Sequence, residues 1–251
     1  MFIDTHCHLS LEDYDDISSV IEKNREAHIS KMIISGCTRD TIEESLSFTD
    51  IYPDVFATIG YHPSEANKTT DDDLTLLEKQ IQHPKVVGIG EIGLDYHYGK
   101  DDMEQQKDLF RKQLHLASTF HLPVVIHSRD AVEDTIQILK EFPDVVGDIH
   151  CFSGSLEVAK IYLSMGYLLG IGGVVTFKNS HLKEVVKEVG VSKILLETDA
   201  PYLAPEPFRG QKNSSCMIPV IADKLSEILE IPVKEVAFQT TLNAENLFDL
   251  H

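Results

Sequence analysis

No stretch of the chain approaches the roughly 18 consecutive apolar residues that a membrane-spanning helix needs, so nothing in the sequence points to a bilayer anchor. The opening residues, MFIDTHCH, lack a basic segment followed by an apolar one, so no secretory signal peptide is expected and a cytoplasmic protein is. Four cysteines (Cys7, Cys37, Cys151 and Cys216) lie far apart, with no CxxC pair. That spacing argues against a disulfide framework and for reduced thiols in a cytosolic protein. Basic residues are scarce as well: 22 Lys and Arg face 41 Asp and Glu, a formal net charge of −19. Such a surface repels polyanions at long range, so any nucleic-acid substrate must be held locally. Serine elbow, P-loop, low-complexity tract, sequence repeat and Pro/Gly/Ser-rich linker are all lacking, and residues 1–251 read as a single domain.

What the chain has is length and rhythm. Its 251 residues, 42% of them hydrophobic, suffice for one large α/β barrel or two smaller domains. Eight short apolar runs recur: Phe2 to Thr5, Lys31 to Ser35, Val55 to Gly60, Val86 to Gly90, Val124 to Ile126, Val145 to Ile149, Tyr167 to Ile171 and Lys193 to Glu197. Helical spacing separates them, as in Ile17, Val20 and Ile21, or in Met103, Phe110, Leu114 and Ala117. Nearly continuous apolar strands belong to parallel sheets covered by helices. Eight βα units in this length predict a (β/α)8 TIM barrel, with a doubly wound open sheet as the competitor. The acidic run Asp71 to Asp73 precedes a helical stretch, Leu74 to Ile81, where its charge suits the helix N-terminus. Past the eighth run, Ile221, Leu225 and Ile228 mark a further helix and Pro232 opens another. These closing segments carry no predicted chemistry.

Active-site residues of such a barrel come from the C-terminal ends of its strands. Here the first strand ends in Asp-Thr-His6-Cys-His8, the fourth in Gly-Glu91-Ile-Gly-Leu-Asp95, the fifth in His127-Ser-Arg129-Asp, the sixth in His150-Cys-Phe-Ser-Gly and the eighth in Glu197-Thr-Asp199. Every one of these ends offers a metal-ligating side chain. His6 and His8, two residues apart on an extended strand, point to the same side and can reach one ion. A carboxylate closing an apolar strand is costly unless it is paired or metal-bound. Imidazole and carboxylate donors suit Zn, Mn, Fe or Ni, and Mg where oxygens dominate. The donors outnumber the three protein ligands of one catalytic zinc, which predicts two divalent metal ions per chain. Seven other histidines, His28, His83, His97, His115, His121, His181 and His251, fall in helical or loop stretches and are expected to be bland. Gly88-Ile-Gly-Glu-Ile-Gly93 spells a dinucleotide fingerprint, but a turn-like stretch, Leu-Asp-Tyr-His-Tyr-Gly, follows it instead of a helix, so no nicotinamide cofactor is expected.

The ordered motifs DTHCHL at 4–9, GYHP at 60–63, GEIGLD at 90–95, HSRDA at 127–131, HCFSG at 150–154, ETDAPYL at 197–203 and NAENLF at 243–248 resemble the TatD family of metal-dependent deoxyribonucleases along essentially the whole chain. The resemblance implies that His6, His8, Glu91, His127, His150 and Asp199 are the metal ligands. In it, Glu91 replaces a carboxylated lysine, and His62 lies near the scissile phosphate. The expected activity is hydrolysis of ester bonds by metal-activated water, as a 3′–5′ exonuclease on DNA ends, with Asp199, Glu91 and His62 as catalytic residues. The alternatives are a D-aminoacyl-tRNA deacylase or another small phosphoester or ester hydrolase on the same site, and then a non-catalytic metal-binding protein. No membrane and no obligate protein partner is expected. Arg129 suits a phosphate, or else an ion pair with its neighbour Asp130. After Arg209-Gly210 the chain departs from the family's basic stretch and Asn-Glu-Pro, reading Gln-Lys-Asn213-Ser-Ser-Cys.

Overall fold

Residues 1–99 and 101–250 are described in a computed structural model, and His251 lies outside them. The β-branched runs form eight strands: β1 (Phe2–Cys7), β2 (Ile29–Gly36), β3 (Val55–Ile59), β4 (Val86–Asp95), β5 (Val124–Arg129), β6 (Gly147–Ile149), β7 (Leu168–Ile171) and β8 (Ile194–Leu196). Between and after them come α1 (Ile17–Glu26), α2 (Arg39–Ile51), α3 (Asp71–Gln80), α4 (Met103–Phe120), α5 (Val132–Leu139), α6 (Leu156–Ser164), α7 (Leu182–Val189), α8 (Ile218–Leu229) and α9 (Val233–Phe248). The strands follow chain order through one eight-stranded sheet, and the pairs β1–β2, β3–β4, β4–β5, β5–β6 and β7–β8 are parallel. This is the (β/α)8 barrel and not the open sheet, whose strand order reverses at a switch point. No helix among the described residues is long and apolar enough to cross a membrane.

Two compact units divide the chain. The first comprises Met1–Ile34, Cys151–Ser164 and the residues from Leu168 onward. Its interior is made by Ile3, Met32, Ile33, Ile34, Leu169, Ile171 and Ile194 to Leu196, all buried. In this unit β1 does not keep simple step with β2: Asp4 lies opposite Met32 and Cys7 opposite Ile34, so three residues of β1 span two of β2. The irregularity falls beside His6 and re-aims the strand's end, as bulges next to functional sites do.

The second unit comprises Ser35–His150 and Met165–Tyr167. Its strand β4 is buried along all ten residues. The apolar run ends at Gly90 and a turn-like stretch is expected from Leu94, yet Glu91 through Asp95 are all strand. A second irregularity explains this. Ile89 pairs with Val124 and Ile92 with Ile126, so Gly90 and Glu91 are accommodated without ending the ladder. Pairing on this longer β4 likewise carries β5 on to Arg129, three residues past the apolar run. Helix α3 begins earlier than expected, at Asp71. Thr70 caps it by accepting from the Asp73 N–H while the Asp73 carboxylate accepts from the Thr70 N–H, so the acidic run is the first turn itself. In the first unit Pro232 stands just before α9, as its cap residue.

Candidate metal centre

In the first unit the ends of β1 and β8 are tied by the backbone. Thr198 N–H and Asp199 N–H both donate to the His6 carbonyl, at 3.3 and 3.0 Å, and His8 N–H donates to the Ala200 carbonyl at 2.6 Å. This brings three donor atoms together. His6 Nε2 and His8 Nε2 are 3.3 Å apart, and Asp199 Oδ1 lies 3.7 Å from the first and 3.5 Å from the second. A tetrahedral ion with ligand bonds of roughly 2.0–2.2 Å has ligand-to-ligand edges of about 3.4 Å. The triangle therefore already has the size of one face of such a coordination sphere, and its two imidazoles and one carboxylate suit a borderline divalent metal.

A buried polar scaffold holds this triangle in place. Asp4, fully buried, accepts from Thr198 N–H at 3.0 Å, from Thr198 Oγ1–H at 2.6 Å and from the His6 N–H at 3.3 Å. Burial pushes the Asp4 carboxyl up to about 7, against the pull of these hydrogen bonds. Asn213, also fully buried, donates from Nδ2 to the Thr198 and Tyr202 carbonyls at 2.8 and 2.6 Å, and its own N–H donates to the Pro201 carbonyl at 3.0 Å. Asp199 itself sits at φ 56, in the left-handed region that an acidic side chain tolerates better than most. The Cys7 thiol beside it is buried and held well above its ordinary pKa, so it is a packed thiol and not a thiolate.

In the second unit Glu91 is the hub. His127 Nδ1 is 2.5 Å from Glu91 Oε1, His150 Nε2 is 3.7 Å from the same oxygen and His62 Nε2 is 3.9 Å from it. Donor atoms of Glu91, His127 and His150 all lie within 4.8 Å of one another, close enough to serve a common ion. The other nitrogen of His127, Nε2, meets Asp95 Oδ2 at 3.2 Å. Both ring nitrogens thus face carboxylates, and although burial opposes the charge, Glu91 and Asp95 raise the His127 pKa to about 9. Asp95 is ionised in turn: burial disfavours its charge, but the hydrogen bonds from His127 and from the His97 N–H hold it below the usual carboxylate range. An imidazole with one nitrogen on a metal and the other on a carboxylate is oriented and made more basic.

His62 follows β3 and caps the short turn of helix Pro63–Glu65. Ser64 N–H donates to its Nδ1 at 3.1 Å, which makes Nδ1 an acceptor and leaves the proton of the neutral ring on Nε2, the nitrogen turned toward Glu91. The turn-capping and functional readings of His62 are therefore compatible. Its ring centroid lies 4.6 Å from that of His127.

Each unit accordingly brings its own predicted residues together: His6, His8 and Asp199 in one, and Glu91, His127, His150 and His62 in the other. Sequence reasoning gave no role to Asp95, Asp4, Thr198 or Asn213. A charged residue inside the apolar run FIDT was the available signal for Asp4, whereas Asn213 bonds across a loop and leaves no local trace. Cys37, whose Sγ lies 3.7 Å from Glu91 Oε2, was equally silent. A cavity of about 420 Å³ lies elsewhere, lined by Leu74, Glu78, Arg111, Lys112 and neighbours on α3 and α4. It holds none of these residues, and its Arg111 and Lys112 are already paired with Glu141 and Asp108.

Known proteins resemble this chain along its length. The family profile described as "TatD related DNase" matches residues 3–249. The chain belongs to the TatD family. Within it, the chain is similar to the uncharacterized metal-dependent hydrolase YabD of Bacillus subtilis, 43% identical over 100% of both chains. It is 34% identical to the 3′-5′ ssDNA/RNA exonuclease TatD of Erwinia tasmaniensis, over 94% of each chain. Among solved structures, the TatD homolog YjjV of Escherichia coli K12 superposes with a TM-score of 0.92 at 32% identity, covering 100% of this chain and 98% of that one. This TatD protein is a metal-dependent hydrolase on the barrel fold of that family.

Proposed function

We propose that this chain hydrolyses phosphodiester bonds of DNA, shortening single-stranded or frayed ends from the 3′ side. The observation that carries the reading is the triangle of His6, His8 and Asp199, which has the dimensions of a metal-coordination face and includes a carboxylate able to take a proton. The name of the Erwinia relative points to the same substrate class. His6, His8, Glu91, His127, His150 and Asp199 would hold two divalent ions, drawn from Zn, Mn, Mg, Fe and Ni, in a chain that works as one hydrolase domain in the cytoplasm.

When bound, such ions polarise a phosphoryl oxygen and acidify a water molecule. Asp199 accepts the proton of the attacking water as general base. His62, with its proton fixed on Nε2, donates a hydrogen bond to a phosphate oxygen. Glu91 supplies the central carboxylate, and Asp95 keeps the His127 ring in its working orientation.

The decisive assay offers purified chain, supplied in turn with Mg²⁺, Mn²⁺ and Zn²⁺, a 5′-labelled single-stranded oligonucleotide and a D-aminoacyl-tRNA. A ladder of 3′-shortened DNA is expected. Cleavage of the tRNA ester alone would transfer the assignment to a deacylase, and cleavage of neither would remove it. Wild-type-like hydrolysis surviving His127→Ala combined with Asp199→Ala would remove the catalytic role assigned to this centre.

A further inference from the structure

We propose that Tyr98 and Arg129 form a nucleotide subsite at the C-terminal ends of β4 and β5, with the base stacked on Tyr98 and a phosphate held by Arg129. The inference extends the DNA-hydrolase reading and rests on it for the identity of the substrate, though not for the site's ability to bind a nucleotide.

Three observations carry it. Tyr98 is 86% exposed, an unusual place for an aromatic ring, in the turn that follows β4. Arg129 ends β5 two residues after His127, so on an extended strand it projects to the same side as that histidine. Its Nη1 lies 3.5 Å from Tyr98 Oη, and its guanidinium carbon stands 5.4 Å from the Tyr98 ring centroid. The neighbouring carboxylate does not neutralise it. Asp130 is turned away to His97 Nδ1, 3.0 Å distant, and Arg129 makes no ion pair with any carboxylate among the described residues.

This disposes of the simple alternative that Arg129 pairs with Asp130. In a chain of net charge −19, many of the basic side chains are engaged by acids, as Arg39, Lys107 and Arg111 are. A guanidinium without a carboxylate partner, lying over one face of an exposed ring, matches a ligand that carries both a π-surface and an anionic oxygen. The turn is also fastened to the catalytic strands. Tyr96 N–H donates to the Arg129 carbonyl at 2.9 Å, His97 N–H donates to Asp95 Oδ1 at 2.9 Å, and the His97 ring stands perpendicular to that of Tyr98 with centroids 5.0 Å apart. A nucleotide seated there would be registered against the Glu91, Asp95 and His127 cluster through backbone connections and not through a mobile side chain alone.

The chain contains no tryptophan, so Tyr98→Trp creates a single fluorescent reporter in the subsite. Titration of that variant with dAMP and with a short oligodeoxynucleotide should quench its emission saturably, while deoxyribose 5-phosphate, which lacks a base, should not. Adding Arg129→Gln should weaken dAMP binding several-fold but leave deoxyadenosine, which lacks the phosphate, little affected. In metal-replete protein, Tyr98→Ala should raise KM for the oligonucleotide by roughly tenfold, with a smaller effect on kcat, and Tyr98→Phe should restore it. Quenching by nucleotides in a protein that cleaves no DNA would support the subsite while overturning the hydrolase reading. DNA cleavage with KM indifferent to Tyr98→Ala and Arg129→Gln, or equal quenching by deoxyribose 5-phosphate, would overturn the subsite and spare the hydrolase.

Discussion

At the scale of single residues, the candidate centre is held in shape by side chains outside its donor set. Asp95 is the clearest case: its contact with His127 Nε2 leaves Nδ1 as the nitrogen presented to Glu91 and to a metal. Replacing it by Asn keeps the shape and removes the charge. Asp95→Asn is expected to lower metal affinity by about 10- to 100-fold, measured by competition with a chromogenic chelator, with the far-ultraviolet circular dichroism retained. His127 makes a second prediction. In metal-free protein its pKa is raised from 6.5 to about 9, so the stabilisation from its charged form is complete below about pH 6.5 and disappears as the pH rises through about 9. Metal and proton compete for that ring. Loading at neutral pH should therefore release a proton, detectable by calorimetry in two buffers of different ionisation enthalpy, and metal affinity should climb across the same interval. The six metal-ligand candidates stand out in the sequence because each lies at or just past the end of an apolar run, whereas His62 is singled out only by the family resemblance. The supporting residues do not stand out, since Asp4 to Thr198 and Asn213 to Tyr202 are pairings made by folding.

At the scale of elements, the recurrence of eight apolar runs was enough to count the strands, and their failures lie where strand geometry is irregular. The extension of β4 carries Leu94 and Asp95 as strand, where the sequence reads as a turn. Gly93 explains why a glycine is needed inside a strand here. It has φ 142, and a Cβ at this position would stand about 2.0 Å from the His127 carbonyl oxygen. Neither β4 nor β5 can retreat without disturbing the cluster they carry. Gly93→Ala is thus expected to cost more than about 1 kcal/mol of stability in urea unfolding, and to weaken metal binding in whatever protein still folds. The same strands account for the unassigned carboxylate: Asp95 stands at the end of the fourth strand in the sequence, but its partner, His127 Nε2, is on β5, a pairing made by folding.

At the scale of the whole molecule, the charge of −19 sets how a polyanion can be handled. A protein that neutralises many phosphates loses affinity steeply with salt, at a slope near −0.7 per contact for single strands. With Arg129 as the one cation assigned to a phosphate, log affinity for a single-stranded oligonucleotide is expected to fall against log salt with a slope no steeper than about −2, at fixed metal concentration. Removal of metal by a chelator should in contrast abolish cleavage. A slope near −5 would reveal a basic track that the charge distribution does not suggest. The large-scale fold was read from composition and periodicity because a barrel repeats one local rule eight times, while its division into two compact units arises from long-range packing and leaves no mark on the sequence. The loop after β8 has a bearing on how such a molecule diversifies. Asn213 fastens the turn bearing Asp199 through its Nδ2 and two backbone carbonyls, and Ser214 and Cys216 anchor the next residues on Asn24. The hold on Asp199 therefore depends on the Asn213 side chain, but only on the backbone of the residues that side chain grips. Tyr202, gripped by Asn213 only through its carbonyl, can accordingly vary in that outer loop without loosening the turn, whereas Asn213 cannot.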